Sequence, residues 1–158
     1  ESIGYGMTDA IREGQVMVLS RYGTVADARQ DVTLSEVLSS PAIPAADVIV
    51  LDSASSLMPE DGSRADHFAL VQQLRKIASD GRSFMLCADP EEMDSQLLHT
   101  LRASAEVVLD LDNVLIGGEL KRSIVITRFL RAAGPIQTSV GWRVEPGMGF
   151  IVDITAVS

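Results

Sequence analysis

Val48-Ile49-Val50-Leu51-Asp52-Ser53 is the stretch whose reading decides the fold. Four consecutive apolar residues, three of them β-branched, predict a short buried strand of a parallel sheet. The acid that follows emerges at the C-terminal edge of such a sheet, where open α/β folds place their ligand crevice. A carboxylate there can hold the water shell of a hard divalent cation such as Mg2+. The plainer alternative is an aspartate that caps the next turn, a common use of this residue. Four apolar residues and an acid do not separate the two, so the surrounding order of elements has to.

Downstream, Ser53 to Arg64 is loop-like. From Arg64 to Ser79 the apolar positions Leu70, Val71, Leu74, Ile77 and Ala78 fall on one face of a helix, and Asp80-Gly81 supplies its stop. Ser83 to Ala88 predicts a second buried strand and Asp94 to Arg102 a second helix. Strand, helix, strand at this spacing requires a parallel pair with a right-handed crossover. The second strand then ends at Ala88-Asp89-Pro90, which puts Asp89 where a polar group can sense a bound nucleotide; the plainer alternative is an ordinary turn into a helix.

Upstream, Gln15 to Ser20 is an apolar run that predicts another strand, and Arg21 to Asp31 a loop. Thr33-Leu34-Ser35-Glu36 has capping-box spacing and opens a short helix that Pro41 and Pro44 end. Glu1 to Gly6 reads as the end of a helix running into a turn, the mark of a chain cut from something longer. After Ala105 the pattern changes. Val107–Leu111, Ser123–Leu130, Thr138–Val144 and Phe150–Ile154 read as strands, with turns at Gly117-Gly118 and Pro146-Gly147-Met148-Gly149. Their short connections leave no room for crossover helices, so these strands are antiparallel. The expectation is one α/β domain over residues 1–158: a parallel core sheet with flanking helices, extended by antiparallel strands.

Composition narrows the function. With 158 residues, 46% hydrophobic and only 4% aromatic, the chain can bury an aliphatic core. No apolar run approaches the roughly 20 residues of a membrane span. A net charge of −9, with lysine only at 76 and 121, argues against a nucleic-acid surface. Cys87 is the single cysteine, so no internal disulfide forms; its place in Phe84-Met85-Leu86-Cys87 predicts a buried, inert thiol. His67 and His99 lack metal-ligand spacing and are expected to face solvent or cap helices. No G-x-S-x-G elbow is present for a serine hydrolase. Trp142 reads as packing, and Met7, Met85 and Met93 as core filler.

Taken together, Val48–Leu57 (VIVLDSASSL), Lys121–Leu130 (KRSIVITRFL) and Gly141–Ile154 (GWRVEPGMGFIVDI) resemble the RecA/KaiC-like ATPases. Within them the chain is most similar to the accessory ATPases of the archaeal flagellum (archaellum) motor, with Ile154–Ser158 looking like that family's C-terminus. The resemblance implies ATP and Mg2+ as ligands, with Asp52 as the acid of the Walker B strand, acting on Mg2+ through water. Ser53 and Asp89 would sit beside the nucleotide. It also implies a homo-oligomeric ring in the cytoplasm, docked on the motor ATPase and the membrane platform protein. In such rings Arg128 would reach the phosphates of the neighbouring subunit, a task that suits the planar fork of a guanidinium. Arg131, three residues on, would face away from Arg128 if the strand ran straight.

The departures from the family pattern matter. No G-x-x-x-x-G-K-[ST] phosphate loop occurs in these residues, and Gly117-Gly118-Glu119-Leu120-Lys121 has the wrong spacing. These residues alone are therefore not expected to bind ATP tightly or to hydrolyse it. Two other readings stay open: a KaiC-like or recombinase-like ATPase with a different partner, and a degenerate RecA-fold scaffold that binds no nucleotide.

Overall fold

The computed structural model describes residues 7–18, 33–41, 43–58 and 62–153. The expectations for Glu1–Gly6, Arg21–Asp31 and Ile154–Ser158 lie outside these residues. Two compact units divide the chain, residues 20–104 on one side and residues 1–19 with 105–158 on the other.

In the second unit α1 (Thr8–Arg12) comes first, and the helix of the first unit, α2 (Leu34–Leu38), follows. The box at α2 forms as its spacing predicts: the Glu36 amide donates to Thr33 Oγ1, and the Thr33 amide donates to the Glu36 carboxylate. β1 (Val48–Leu51), α3 (Arg64–Ser79), β2 (Ser83–Leu86) and α4 (Ser95–Ser104) complete this unit. α3 carries a second capping box, Ser63 with Asp66, and closes on Gly81 at φ +89°, a backbone state that glycine adopts without strain. β1 and β2 are parallel, Val48 opposite Ser83 through Leu51 opposite Leu86.

The core of this unit gathers Leu34 and Leu38 of α2, Ile49 and Leu51 of β1, Leu70 and Leu74 of α3, Met93, and Leu97 of α4, which has no exposed surface. It covers one face of the strand pair. The other face is open: Val48, Val50 and Met85 are each more than half exposed. A strand buried on both faces was expected, and the alternating burial of β1 corrects it. The described helices pack on one side only, and four apolar residues in a row say nothing about how many faces find a cover. Met85 and Met7 are thus exposed rather than core filler, whereas Met93 is buried.

The remaining strands are β3 (Val107–Ile116), β4 (Glu119–Phe129), β5 (Ser139–Glu145) and β6 (Gly149–Asp153), in the order β3-β4-β5-β6 and antiparallel throughout. β3 runs past Leu111 and β4 begins before Ser123. The cause is the Gly117-Gly118 turn, both residues at positive φ, which propagates a ladder through Asp110, Asp112 and Asn113 whatever their polarity. The strand expected at Gln15–Ser20 does not form over its described residues 15–18. There the amides of Gln15 and Val16 fold back onto the Ala10 carbonyl, closing α1 through Gly14 at φ +73°. No helix among the described residues is long and apolar enough to cross a membrane.

Candidate functional site

The C-terminal tips of β1 and β2 bring Asp52, Ser53 and Asp89 to one edge. Beyond the strand register the two segments stay joined. The Cys87 amide donates to the Leu51 carbonyl at 2.9 Å, and the Ala54 amide donates to the Cys87 carbonyl at 2.7 Å. The Asp89 amide then donates to Ser55 Oγ at 2.8 Å. Ala54 is fully buried and Ser55 nearly so, which plants the loop after Asp52 in the core while leaving the Asp52 side chain exposed. The peptide between Asp52 and Ser53 is cis. Ser53 Oγ is buried and makes no hydrogen bond among the described residues. A single carboxylate open to solvent at the C-terminal end of a parallel pair can hold the water shell of Mg2+, whereas no cluster of three or more acidic, histidine or cysteine ligands occurs among the described residues.

Asp89 is exposed, and its Oδ1 accepts from the Glu91 amide at 2.9 Å, so one carboxylate oxygen shapes the turn after β2. Cys87 is half-buried rather than buried. Its burial, and then the charge of Asp52, push the thiol above its usual value, which keeps it protonated and unreactive.

Arg128 lies in the other unit, on β4 opposite Val108. It is half-buried, and its Nε is buried without a hydrogen-bond partner among the described residues. The register between β3 and β4 slips between Val108 and Leu109, so Thr127 is the extra residue of a bulge. β4 ends at Phe129, and Arg131 sits in the following turn at φ +62°, paired with Glu106 at 3.1 Å. Alternation along a straight strand therefore does not relate Arg131 to Arg128. On the same sheet Trp142 stacks on Phe150 with ring centroids 5.5 Å apart, and the Arg122 guanidinium lies 5.6 Å from the Trp142 ring. The packing role expected of Trp142 is realised.

His67 corrects its expectation. It is 6% exposed, because positions 67, 70, 71 and 74 share the buried stripe of α3. Its Nδ1 lies 3.6 Å from Asp94 Oδ1 and its Nε2 has no partner among the described residues. Ser55 was missed altogether. A single serine inside a serine-rich loop gives no pattern, and only its three-dimensional partner marks it out.

The fold is that of an α/β chain similar to the RecA/KaiC-like proteins, as the sequence predicts. The KaiC-like protein PH0186 of Pyrococcus horikoshii OT3 superposes with a TM-score of 0.66 over 96% of this chain and 67% of its own, at 19% identity, a likeness of fold alone. More particularly, the chain is similar to FlaH. It is 29% identical over 158 residues to the archaeal flagellar ATP-binding protein FlaH of Methanococcus voltae, covering 99% of this chain and 69% of that protein. FlaH of Methanocaldococcus jannaschii is 27% identical over 99% of this chain and 68% of its own length. The crystal structure of the flagellar accessory protein FlaH from M. jannaschii superposes with a TM-score of 0.85 at 26% identity, over 98% of this chain and 69% of that one. No family model matches the chain.

Proposed function

We propose that this chain is part of an ATP-binding accessory protein of the archaellum motor, one that hydrolyses ATP slowly or not at all. The observation that carries the reading is the shared edge of β1 and β2, where exposed Asp52 and the tip at Asp89 are held together by hydrogen bonds. The similarity to proteins named FlaH supplies the ligand and the setting.

In this reading residues 1–158 are the C-terminal portion of one RecA-like domain, and the phosphate loop lies outside them. Asp52 holds the water shell of Mg2+, and Ser53 lies next to it beside the nucleotide. Mg2+, when bound, neutralises charge on the nucleotide phosphates. Asp89 faces the same crevice. Arg128 acts in trans, its guanidinium directed to the phosphates of the next subunit in a homo-oligomeric ring. The ring is cytoplasmic, meets the membrane only through the platform protein and regulates the motor ATPase.

The test uses the full-length gene product and equilibrium dialysis with labelled ATP. Asp52→Ala is expected to weaken Mg·ATP binding at least tenfold and to leave metal-free ATP binding close to wild type. Unchanged Mg·ATP affinity would sink the assignment of Asp52.

A further inference from the structure

We infer that Ser55 is a positioning residue, a hydroxyl pin that sets the distance between the Asp52 loop and the Asp89 tip. The inference rests on the nucleotide reading above and adds to it a residue that touches neither nucleotide nor metal.

Three hydrogen bonds zip the segments beyond the strand ends. The first two, Cys87 to Leu51 and Ala54 to Cys87, run between backbone groups and form for almost any sequence. The third, from the Asp89 amide to Ser55 Oγ, is the only one of the three made by a side chain. It bridges 34 positions of sequence, at a serine 6% exposed. A serine in so apolar a surrounding, next to fully buried Ala54, is costly unless its hydroxyl is used. Here it satisfies an amide that has left the ladder.

The consequence concerns what the edge can sense. The Asp52 side chain is open to solvent, and so is that of Asp89, so neither is fixed by packing. What fixes their separation is the backbone beneath them, and the pin is its last link. With the pin in place, a change of contact at Asp52 when a γ-phosphate is present or absent moves the Asp89 turn as one piece. Asp89 in turn holds the Glu91 amide and the Glu92 amide, so the displacement continues into the segment that leads to α4. Removal of the hydroxyl strands the Asp89 amide and loosens the Asp89 turn from the Asp52 loop, while the two backbone bonds below it remain.

The experiment compares ATP and ADP binding, with Mg2+, in the full-length protein and in Ser55→Ala, Ser55→Thr, Asp89→Ala and Asp52→Ala. Ser55→Ala is expected to reduce the preference for ATP over ADP about tenfold, and Ser55→Thr, which keeps the hydroxyl, to restore it. Adding Ser55→Ala to Asp89→Ala is expected to produce no further loss. Equal weakening of ATP and ADP by Ser55→Ala would mean that the serine only supports the fold, and the pin would be rejected. So would an unchanged preference in a protein where Asp52→Ala abolishes Mg·ATP binding, an outcome that leaves the nucleotide reading intact. A protein whose Mg·ATP binding ignores Asp52→Ala instead overturns the assignment of Asp52, and the pin with it. Should Ser55→Ala not fold, amide exchange in the unaltered protein decides: the Asp89 amide should exchange more slowly with ATP than with ADP, and equal rates would refute the pin.

Discussion

The two units hold themselves together by different means. In the unit of residues 20–104, helices and a parallel pair surround an aliphatic core in which Leu34 and Leu97 are almost wholly removed from water. In the antiparallel unit, most large apolar side chains stay in contact with solvent: Leu111 is 66% exposed and Leu115 is 70% exposed. There the order comes from the ladder itself, with ten paired positions between β3 and β4, and from one stacked aromatic pair. The candidate metal acid belongs to the first kind of structure and the candidate phosphate cation, Arg128, to the second. A tip fixed by a packed core suits a metal site, which tolerates little displacement. A strand interrupted by a bulge suits a group that must reach outward.

The sharpest way to break this comparison is to empty the core. Leu97→Ala removes the side chain of a residue with no exposed surface and should destabilise the helical unit by about 2–5 kcal/mol. Trp142 is the only tryptophan, and it lies on β5, so its fluorescence reports on the sheet while far-UV circular dichroism at 222 nm reports mainly on the helices. In a urea titration the helical signal should shift to lower denaturant by more than the fluorescence does. Coincident shifts of equal size would show that the two units unfold as one, and the contrast between them would lose its thermodynamic meaning.

A smaller effect tests the sheet. Phe150→Leu keeps an apolar side chain opposite Val144 but removes the ring stacked on Trp142. Such pairs contribute roughly 0.5–1.5 kcal/mol beyond the area they bury. The loss should appear in the fluorescence transition and spare the helical one. If the helical transition moves equally, the ladder is not an independent source of order.

How much of this could be read beforehand follows from the same contrast. Helix α3 is found at Arg64–Ser79, the limits its sequence predicts, since its stripe repeats cleanly and Gly81 stops it; the Ser63–Asp66 box at its start is seen only in the structure. The parallel pair and the antiparallel tail were likewise legible, because connection length dictates strand direction. Cover was not legible. Whether Val48 and Val50 meet a neighbour depends on elements distant in sequence, and so does the burial of His67, a polar residue that rides on an apolar stripe. Of the site, Asp52 was visible because a strand ends there. The hydroxyl of Ser55, which ties that strand to the next, was invisible because its partner stands 34 positions away.

The smallest effect sharpens the account of the first unit at its edge. Asp66 closes the capping box of α3. The Ser63 hydroxyl, and after it the Ser63 amide, hold its carboxyl below the usual carboxylate value; the nearby His67 adds slightly, against a small opposing effect of desolvation. Because the folded value lies below the unfolded one, the charged box stabilises the helix start above the ordinary carboxylate range. That contribution fades as the pH drops through the folded value. Acid should therefore loosen the first turn of α3 before it disturbs the core, which lacks a titrating carboxylate among its clustered residues. Nuclear magnetic resonance can follow the Ser63 amide through such a titration. A step in its shift is expected below the usual aspartate value, and Asp66→Asn should remove the step. If the step persists in that variant, another acid closes the helix, and the limits of α3 rest on its apolar stripe rather than on its cap.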